Sequence, residues 1–436
     1  MITVSVVSLG CAKNRVDTEL MLGILVKDGF QITADERQAD VLIVNTCGFI
    51  EPAKEESIDT LLALAQYKET GKLKLLVATG CLIQRYEQEL LKELPEVDLL
   101  LGVNQYERLP QAIREALAGK RASYCADDHH ILSGDRMLTT APYTAYVRIA
   151  DGCDNRCAYC AIPLIRGGFR SRPMDEVLEE IRTLAEGGVR EHILIAQDTS
   201  RFGMDTQGRS LLPDLLERAA AIPGVRWLRV LYCYPDEVDG RLLDVMAAHE
   251  NICKYIDLPL QHADPAILKA MNRRGDIEAV KAFLRKARAM GFTLRTTMIV
   301  GFPGETEAQF KTLLDFVREM QFDRLGAFAF SPEDDTPAAL MAAQVPEDVK
   351  EERLDRLMTA QQEISRRRNQ LRVGQTATAL IEEIADDGTA VARTDREAPD
   401  ADGVCRITGA RGAEPGTFVM VRITGADAYD IFGGIA

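Results

Sequence analysis

The sequence lacks the features of a membrane or exported protein. No uninterrupted apolar run approaches the roughly 20 residues that a membrane-spanning helix needs, and the N-terminal stretch MITVSVVSLGC has neither the basic segment nor the small-residue cleavage site of a signal peptide. We therefore expect a cytosolic protein with no membrane partner. Its 436 residues, 46% apolar and 27% charged, are typical of a folded protein with several domains.

The chain also lacks an excess of positive charge. The chain has 52 Lys and Arg against 67 Asp and Glu, a net charge of −15. This balance argues against a large sequence-independent surface for nucleic acid phosphates, because such surfaces are basic. The sequence shows neither an internal repeat nor a low-complexity tract, so a repeat architecture is not predicted.

Residues 1–135 alternate strand-like and helix-like segments, which predicts an α/β domain with a parallel sheet covered by helices. Three of the strand-like segments, TVSVVSLG, DVLIVN and KLLVATG, are each followed by a cysteine: Cys11, Cys47 and Cys81. Because ligands of open α/β sheets gather at the carboxyl ends of the strands, we expect these three cysteines to face one crevice.

Residues 142–370 contain six further strand–helix units, which predict a partial TIM-like (β/α)6 barrel whose chemistry lies at the carboxyl ends of its strands. A long helix, rich in Glu and Arg, is expected to leave this barrel. Residues 373–436 contain five short β-type runs separated by glycines, typical of a small five-stranded barrel of the oligonucleotide-binding type. This last segment has five Arg and no Lys against eleven Asp and Glu, a net charge of −6.

The densest cysteine run, DGCDNRCAYCAIP, places Cys153, Cys157 and Cys160 directly after the first predicted barrel strand and has no fourth cysteine nearby. Cytosolic cysteines are more often ligands or catalysts than disulfides. A structural zinc site would need a fourth ligand, and His262 could arrive only from a distant strand. Buried core cysteines would not explain the clustering. An iron–sulfur cluster with one open iron fits three thiolates best.

The run CDNRCAYC resembles the CxxxCxxC signature of radical S-adenosylmethionine (SAM) enzymes. The resemblance implies that Cys153, Cys157 and Cys160 have a catalytic role. They would hold a 4Fe-4S cluster whose open iron binds the amino and carboxylate groups of SAM. Reduction of that cluster would cleave SAM to a 5′-deoxyadenosyl radical.

The same resemblance implies a set of SAM contacts. Tyr159 would lie against the adenine, Gln197 and Asp198 would hold the methionine amino group, and the stretch TMIVGFPGE would contact the adenosine through Ile299, Gly301 and Glu305. Arg295 would meet a carboxylate. For the polar members of this set, a structural role at the rim of the barrel is an equally open interpretation.

Cys11, Cys47 and Cys81 are interpreted as the ligands of a second 4Fe-4S cluster, again with three cysteines. Chance placement of all three after strands of one sheet is the less favoured alternative. The other four cysteines show no grouping and are expected to be core or incidental residues: Cys125, Cys233, Cys253 and Cys405.

The whole chain is similar to the methylthiotransferase family, which has an N-terminal cluster domain, a radical SAM barrel and a TRAM domain. The resemblance implies that SAM serves both as radical source and as methyl donor, with a sulfide source and an electron donor such as flavodoxin or ferredoxin as partners. A non-catalytic iron–sulfur carrier is the alternative from a different class.

Several stretches look like the RimO-type branch, which modifies an aspartate of small-subunit ribosomal protein number twelve, free or within the ribosomal subunit: SLGCAKNRVDTE, NTCGFIEPAKEES, LPLQHADPAILKAMNRR and AYDIFGG. The branch that modifies tRNA adenosine is the alternative. The acidic C-terminal segment favours a basic protein over tRNA, because like charges repel. We expect Glu397, Asp400 and Asp402 to take part in docking that protein.

Overall fold

The computed structural model describes residues 1–126, 130–235 and 240–436, which form two compact units. The first unit consists of Met1–Thr139, Ala150–Arg172 and Ser331–Ala339. The second consists of Thr140–Ile149, Pro173–Phe330 and Leu340–Ala436. The three domains expected from the sequence, 1–135, 142–370 and 373–436, stay a prediction, because the division into units does not follow those boundaries.

The first unit contains a parallel sheet with the strand order β2-β1-β3-β4-β5-β6. Its strands are β1 (Thr3–Ser8), β2 (Gln31–Ile32), β3 (Val41–Thr46), β4 (Leu75–Gly80), β5 (Leu99–Leu101) and β6 (Ala122–Tyr124). Every residue of β3 and β4 is buried, as expected for central strands of a parallel sheet covered on both faces. The predicted sheet is confirmed. The sequence did not indicate β2, β5 and β6, because two or three residues are too few for a recognisable alternation.

Helices follow the strands of this sheet. They are α1 (Ala12–Lys27), α2 (Glu51–Ala65), α3 (Tyr67–Thr70), α4 (Cys81–Glu93) and α5 (Leu109–Leu117). Cys11 is the N-cap residue of α1, Cys47 follows β3 directly, and Cys81 is the first residue of α4. Because β1, β3 and β4 are neighbours in the sheet, the three cysteines lie at the same edge.

The cysteine run lies between β7 (Thr144–Arg148), a strand of the second unit, and the rest of the βα barrel. We call residues 150–172 the cysteine loop. It contains β8 (Ala150–Asp151), α6 (Ile162–Arg166) and β9 (Arg170–Ser171). Antiparallel pairing of β8 with β9 closes the loop at its base. The loop belongs to the same compact unit as the N-terminal sheet.

All six predicted barrel strands are present in the second unit. After β7 they are β10 (Glu191–Ile195), β11 (Trp227–Val230), β12 (Tyr255–Gln261), β13 (Thr293–Val300) and β14 (Arg324–Ala329). They form two parallel sheets, β7-β10-β11 and β12-β13-β14, and a parallel bridge between Leu228 and Ile252 connects β11 to the segment before β12. The predicted succession of βα units is confirmed.

The helices of the barrel follow the same order. They are α7 (Met174–Glu186), α8 (Met204–Gln207), α9 (Leu212–Ala220), α10 (Gly240–Ala248), α11 (Pro265–Ala270), α12 (Ile277–Ala289), α13 (Glu307–Met320) and α14 (Glu347–Gln370). The long helix α14 is the one expected to leave the barrel. Within the described ranges, no helix combines the length and apolar character needed to cross a lipid bilayer.

The C-terminal segment is a closed barrel with the strand order β15-β16-β17-β19-β18, as predicted. Its strands are β15 (Thr376–Ile384), β16 (Ala390–Thr394), β17 (Cys405–Thr408), β18 (Phe418–Ala426) and β19 (Ile431–Ile435). Small and β-branched side chains such as Ala379, Ile381 and Ile407 fill its interior, and Cys405 is one of these buried residues.

Candidate metal centres

The three N-terminal cysteine segments pack against one another at the edge of the sheet. Gly10 has a φ of +85°, and a Cβ atom placed on it would lie 2.9 Å from Cys47 Cβ and 3.1 Å from Cys47 Sγ. A Cβ on Gly48 would lie 2.6 Å from Leu82 Cα, in the backbone that follows Cys81. The glycines beside the cysteines therefore allow the three segments to approach closely.

Asn14 joins these segments through its side-chain amide. The Nδ2 group donates to the carbonyl of Leu9 at 3.1 Å and to that of Thr46 at 3.0 Å. Oδ1 accepts from Cys81 Sγ at 3.5 Å and from Arg166 at 3.0 Å. Asn14 is fully buried. These four hydrogen bonds use both N–H donors and both acceptor positions of its side chain, which is the full capacity of an amide.

Two opposing effects act on the pKa of the Cys81 thiol. Burial raises the pKa of its thiol to about 12, and the Arg166 cation acts in the opposite direction. Burial likewise raises the pKa of Cys47, to which the charge of Cys11 also contributes. The charges of Cys11 and Cys47 also raise the pKa of Cys81, whereas Arg166 supplies the positive charge that favours thiolate ligands.

The cysteine loop is shaped by glycine and by an aspartate. Gly152 has a φ of +76°, and a Cβ there would lie 2.0 Å from the Gly168 carbonyl oxygen. The backbone N–H of Cys153 donates to the Gly167 carbonyl at 3.1 Å, and that of Phe169 donates to Asp154 Oδ1 at 3.0 Å. These contacts bring the two arms of the loop that carries Cys153, Cys157 and Cys160 together.

Arg166, the last residue of α6, links the loop to the N-terminal sheet. Its Nη2 lies 2.7 Å from Asp17 Oδ2 and 3.6 Å from Cys81 Sγ, and its Nη1 lies 3.4 Å from Asp151 Oδ2. Arg166, Asp17 and Asp151 are all buried. The charge of Asp17, followed by that of Asp151, raises the pKa of Arg166 well above its ordinary value, against the effect of burial. The guanidinium is therefore a fixed cation that the cysteine loop carries and that lies beside Cys81.

A third segment of the first unit, Ser331–Ala339, also contacts both parts. Glu333 is buried and lies 3.2 Å from Arg85 Nη1 and 3.3 Å from Lys54 Nζ. The backbone N–H of Ala338 donates to the carbonyl of Ala158, inside the cysteine run, at 2.9 Å. This segment therefore connects α2 and α4 of the sheet with the cysteine loop.

Three of the predicted SAM residues lie either near the carboxyl end of a barrel strand or in the cysteine loop. Gln197 and Asp198 follow the carboxyl end of β10, where Asp198 is fully buried and accepts a hydrogen bond from Ser200. Tyr159 is half-buried and lies between Cys157 and Cys160. Their contact with SAM stays a prediction.

The loop after β13 is organised by Glu305. Its carboxylate accepts from the Gly301 N–H at 3.0 Å and pairs with Arg353 at 2.9 Å, and it lies 3.4 Å from His262 Nε2. Glu305 and His262 are buried, so the Glu305 carboxylate holds the loop in place through contacts in the protein interior. Ile299 is half-buried near the end of β13 and remains a predicted adenosine contact.

Arg295 is placed differently from the expectation. It is the third residue of β13 and so lies near the amino-terminal end of that strand. The cysteine loop, in contrast, follows the carboxyl end of a parallel barrel strand. Its Nη1 lies 2.7 Å from Asp257 Oδ1 and its Nε lies 3.7 Å from Asp402 Oδ1. The carboxylates that Arg295 meets are thus protein side chains at the amino-terminal end of the barrel, which does not support a SAM contact.

Two of the three acidic residues expected to dock a partner have buried side chains. Glu397 pairs with Arg324 at 3.0 Å and with Arg372, and the Asp402 side chain accepts from Tyr255 at 2.5 Å. These residues therefore bind the C-terminal barrel to the βα barrel, which corrects the expectation drawn from their charge. Asp400 is exposed and accepts from Tyr146 at 3.1 Å.

The chemistry of the donor set fits two iron–sulfur clusters. Six thiols occur in two groups of three. A Cβ on Gly10 would fill the space beside Cys47 Sγ, and the buried cation of Arg166 lies beside Cys81. Among residues 1–126, 130–235 and 240–436, no three His, Cys, Asp or Glu side chains are already arranged to hold a metal ion. The structure therefore shows converging segments rather than a preformed ligand cage.

Sequence reasoning missed Asn14, Asp17 and Arg166. Asn14 and Asp17 stand in CAKNRVDTE, three and six residues after Cys11, and Arg166 stands six residues after Cys160. Buried polar residue types so close to each cysteine group were the available signal, but their partners are distant in sequence. The contacts of Glu333 were likewise not predictable without the fold.

Comparison with known proteins defines the class of this chain. Its sequence matches the profile of Uncharacterized protein family UPF0004 over residues 3–102, the Radical SAM superfamily over residues 147–317 and the TRAM domain over residues 373–435. The structure resembles the radical S-adenosylmethionine methyltransferase TsrM from Kitasatospora setae, with a TM-score of 0.58 and 14% identity over 78% of this chain and 75% of that chain. The cobalamin-dependent S-adenosylmethionine radical enzyme OxsB gives a TM-score of 0.51 at 13% identity, over 82% of this chain and 56% of that one. The fold is that of a radical SAM protein with a TRAM barrel.

Full-length relatives narrow this class to one family. The ribosomal protein uS12 methylthiotransferase RimO of Desulforamulus reducens is 49% identical over 100% of both chains. The enzymes of the same name from Heliobacterium modesticaldum and Clostridioides difficile are 48% and 44% identical and cover 99% and 100% of this chain, and 94% and 99% of their own. The chain belongs to the RimO family of radical SAM methylthiotransferases.

Proposed function

We propose that this enzyme inserts a methylthio group at the β-carbon of an aspartate in ribosomal protein uS12. Two 4Fe-4S clusters would be held by the two groups of three cysteines, and SAM would serve as radical source and methyl donor. The names of relatives that match over the full length support this substrate. We also propose a cytoplasmic location, an external sulfide source and a reductant such as flavodoxin or ferredoxin.

The observation that carries the proposal is which segments make up the first compact unit. It joins the cysteine loop to the sheet edge that bears Cys11, Cys47 and Cys81, although Cys153 lies 72 positions after Cys81 in the sequence. When bound, the clusters and SAM would supply a hydrogen-abstracting radical and a sulfur donor within one unit. Such a reaction needs the two centres to be held in a fixed relation, since reacting groups must meet within a few ångströms.

The chain's own residues bind and orient these groups. Cys153, Cys157 and Cys160 would be the ligands in the loop, and the Gly152 turn keeps the loop closed. Asn14 ties together the segments that carry the other three thiols. A fixed cation at Arg166 stabilises negatively charged thiolates in a buried setting, where a charge without a partner is costly.

The inner face of the barrel offers a surface to the reactants. Along β13, Leu294 faces the surrounding helices, so Thr297 and Ile299 point to the opposite face. Ile299 pairs in register with Phe328 of β14, which is 55% exposed. These apolar side chains would suit adenosine or the apolar part of a bound peptide, and a bound reactant covering them would help to exclude water from a radical.

The test is an anaerobic assay of reconstituted enzyme with dithionite, sulfide and SAM, offered either purified uS12 or unmodified tRNA, and analysed by mass spectrometry. We expect a methylthio group on one aspartate of uS12. Addition to a tRNA adenosine would keep the chemistry and overturn the substrate. Iron binding without any 5′-deoxyadenosine would instead identify an iron–sulfur carrier.

The two cysteine groups are expected to fail differently when substituted. Cys157→Ala should abolish 5′-deoxyadenosine formation, because it removes a ligand of the radical-forming centre. Cys47→Ala should spare that reaction and stop methylthio transfer. Cys125→Ala is the control, since this half-buried cysteine of the same unit should change neither product. Methylthiolated uS12 from the Cys47→Ala enzyme would contradict the role given to the N-terminal group.

A further inference from the structure

We propose that Arg166 is a positioning residue that fixes the N-terminal cysteine group relative to the cysteine loop, so that its loss uncouples sulfur insertion from radical formation. The proposal rests on the proposed function in assigning sulfur insertion to the N-terminal group. It concerns a residue outside both cysteine motifs.

Arg166 belongs to the cysteine loop in sequence and contacts the N-terminal sheet in space. It ends α6, and that short helix begins two residues after Cys160. Its backbone carbonyl accepts from Arg170 at 3.1 Å, which holds the second arm of the loop. Its guanidinium reaches Asn14, Asp17 and Cys81 of the N-terminal sheet. One side chain therefore belongs to the cysteine loop and binds the other cysteine group.

The contacts of Arg166 converge on the cysteine segments themselves. Asn14 Oδ1, which accepts from Arg166, belongs to the amide that also binds the carbonyls preceding Cys11 and Cys47. Arg166 Nη2 lies 3.6 Å from the sulfur of Cys81. A shift of the guanidinium would thus be felt by all three segments of the N-terminal group.

Arg166 and its charged partners are buried. Arg166 is 1% exposed, and Asp17 and Asp151 are 0% exposed. Ile165, its neighbour in α6, lies in an apolar cluster with Cys81, Val103 and Ala161. Water cannot replace a lost hydrogen bond easily in such a setting, so the geometry around the guanidinium is rigid. Its planar fork of five donors is what allows one residue to hold several partners at once, and lysine cannot reproduce it.

The experiment compares Arg166→Lys and Arg166→Gln with the unaltered enzyme in one anaerobic assay that measures both 5′-deoxyadenosine and methylthiolated uS12. We expect SAM cleavage to persist in Arg166→Lys, while methylthio product per 5′-deoxyadenosine falls roughly 10- to 100-fold, since a displacement of about 1 Å has effects of that size. Arg166→Gln should show the larger fall.

A second readout does not depend on activity. In a chain whose loop cysteines are all replaced by alanine, only the N-terminal cluster can be reconstituted, and its midpoint potential can be measured with and without Arg166→Gln. Loss of a buried cation should shift that potential to more negative values, because the reduced cluster carries more negative charge. Iron content per chain reports whether the cluster is retained.

The matched control is Arg136→Gln. Arg136 is also an arginine of the first unit with a buried side chain, and it pairs with a carboxylate of α1, Glu19, at 3.0 Å. It should lower stability without changing the product ratio or the potential.

An unchanged product ratio in both Arg166 variants, together with an unchanged potential in Arg166→Gln, would overturn the proposal. It would also be overturned if SAM cleavage and methylthio transfer fell in equal proportion in Arg166→Lys, since Arg166 would then serve only the loop. If the unaltered enzyme formed no methylthio product, the proposed function would fail, and the shift in potential would still test Arg166 by itself.

Discussion

At the scale of single residues, glycine and asparagine explain how three cysteines from distant parts of the sequence can meet. The cysteines themselves were predictable, because each follows a strand-like segment and parallel strands end at one edge. Asn14 and Arg166 were not, since their roles depend on partners that only the folded chain brings near. The charge of Glu397 misled the prediction, because composition does not show burial.

Gly10 provides a test at this scale. Gly10→Ala places a Cβ against Cys47, and we expect it to displace that cysteine and to reduce the iron bound by a chain that lacks the three loop cysteines. Gly29→Ala is the control, because Gly29 has a similar φ of +87° and nothing within 4 Å of the added carbon. Both variants should lose about 1–2 kcal/mol to backbone strain. Equal iron content in the two variants would contradict the role of Gly10.

At the scale of secondary structure elements, β10 is connected to the C-terminal barrel by buried charges. Glu191 lies 2.6 Å from Arg393 of β16 and 3.1 Å from Arg229 of β11. The six barrel strands were predictable from their apolar pattern, whereas these cross-links were not. A charged residue at the start of an apolar strand gives no indication of which distant element will neutralise it.

The arginines lower the pKa of Glu191 from its ordinary value of 4.5 to about 2, against the effect of burial. Because the folded pKa is the lower one, the stabilising contribution of Glu191 is present above about pH 4.5 and is lost as the pH falls towards 2. We expect Glu191→Gln to cost about 3–5 kcal/mol near neutral pH, as is usual when one partner of a buried pair is removed. Urea unfolding from pH 7 to 3 measures both effects.

Glu307→Gln serves as the control for that experiment. Glu307 also has a lowered pKa, but its side chain is 61% exposed and that of its partner Arg356 is 38% exposed, so the pair lies at the surface. We expect its loss to cost less than about 1 kcal/mol, because solvent screens exposed pairs. A similar small cost for Glu191→Gln would show that the barrel contact does not depend on this pair.

At the scale of the whole molecule, the acidic charge of the C-terminal barrel has two parts. Glu397 and Asp402 are directed at arginines and tyrosine of the second unit and are not available to a partner. Glu383, Asp386 and Glu414 are exposed and keep the surface of this barrel acidic. The sequence predicted the total charge of this segment, and only the structure separates the residues that stabilise the fold from those that can attract a basic protein.

This division gives a sharper test of how the substrate is recognised. Glu383→Lys, Asp386→Lys and Glu414→Lys, combined in one chain, should leave the melting temperature nearly unchanged and weaken binding of uS12 about tenfold at low salt, with a smaller effect at high salt because ions screen exposed charges. Glu397→Lys should instead lower stability strongly, since it places a cation against Arg324 and Arg372. SAM cleavage without substrate is measured in parallel and should not change in the triple variant. If the triple variant binds uS12 with unaltered affinity and salt dependence, the acidic surface is not part of the docking site, and the choice of uS12 must then depend on contacts at the mouth of the barrel, such as Phe328.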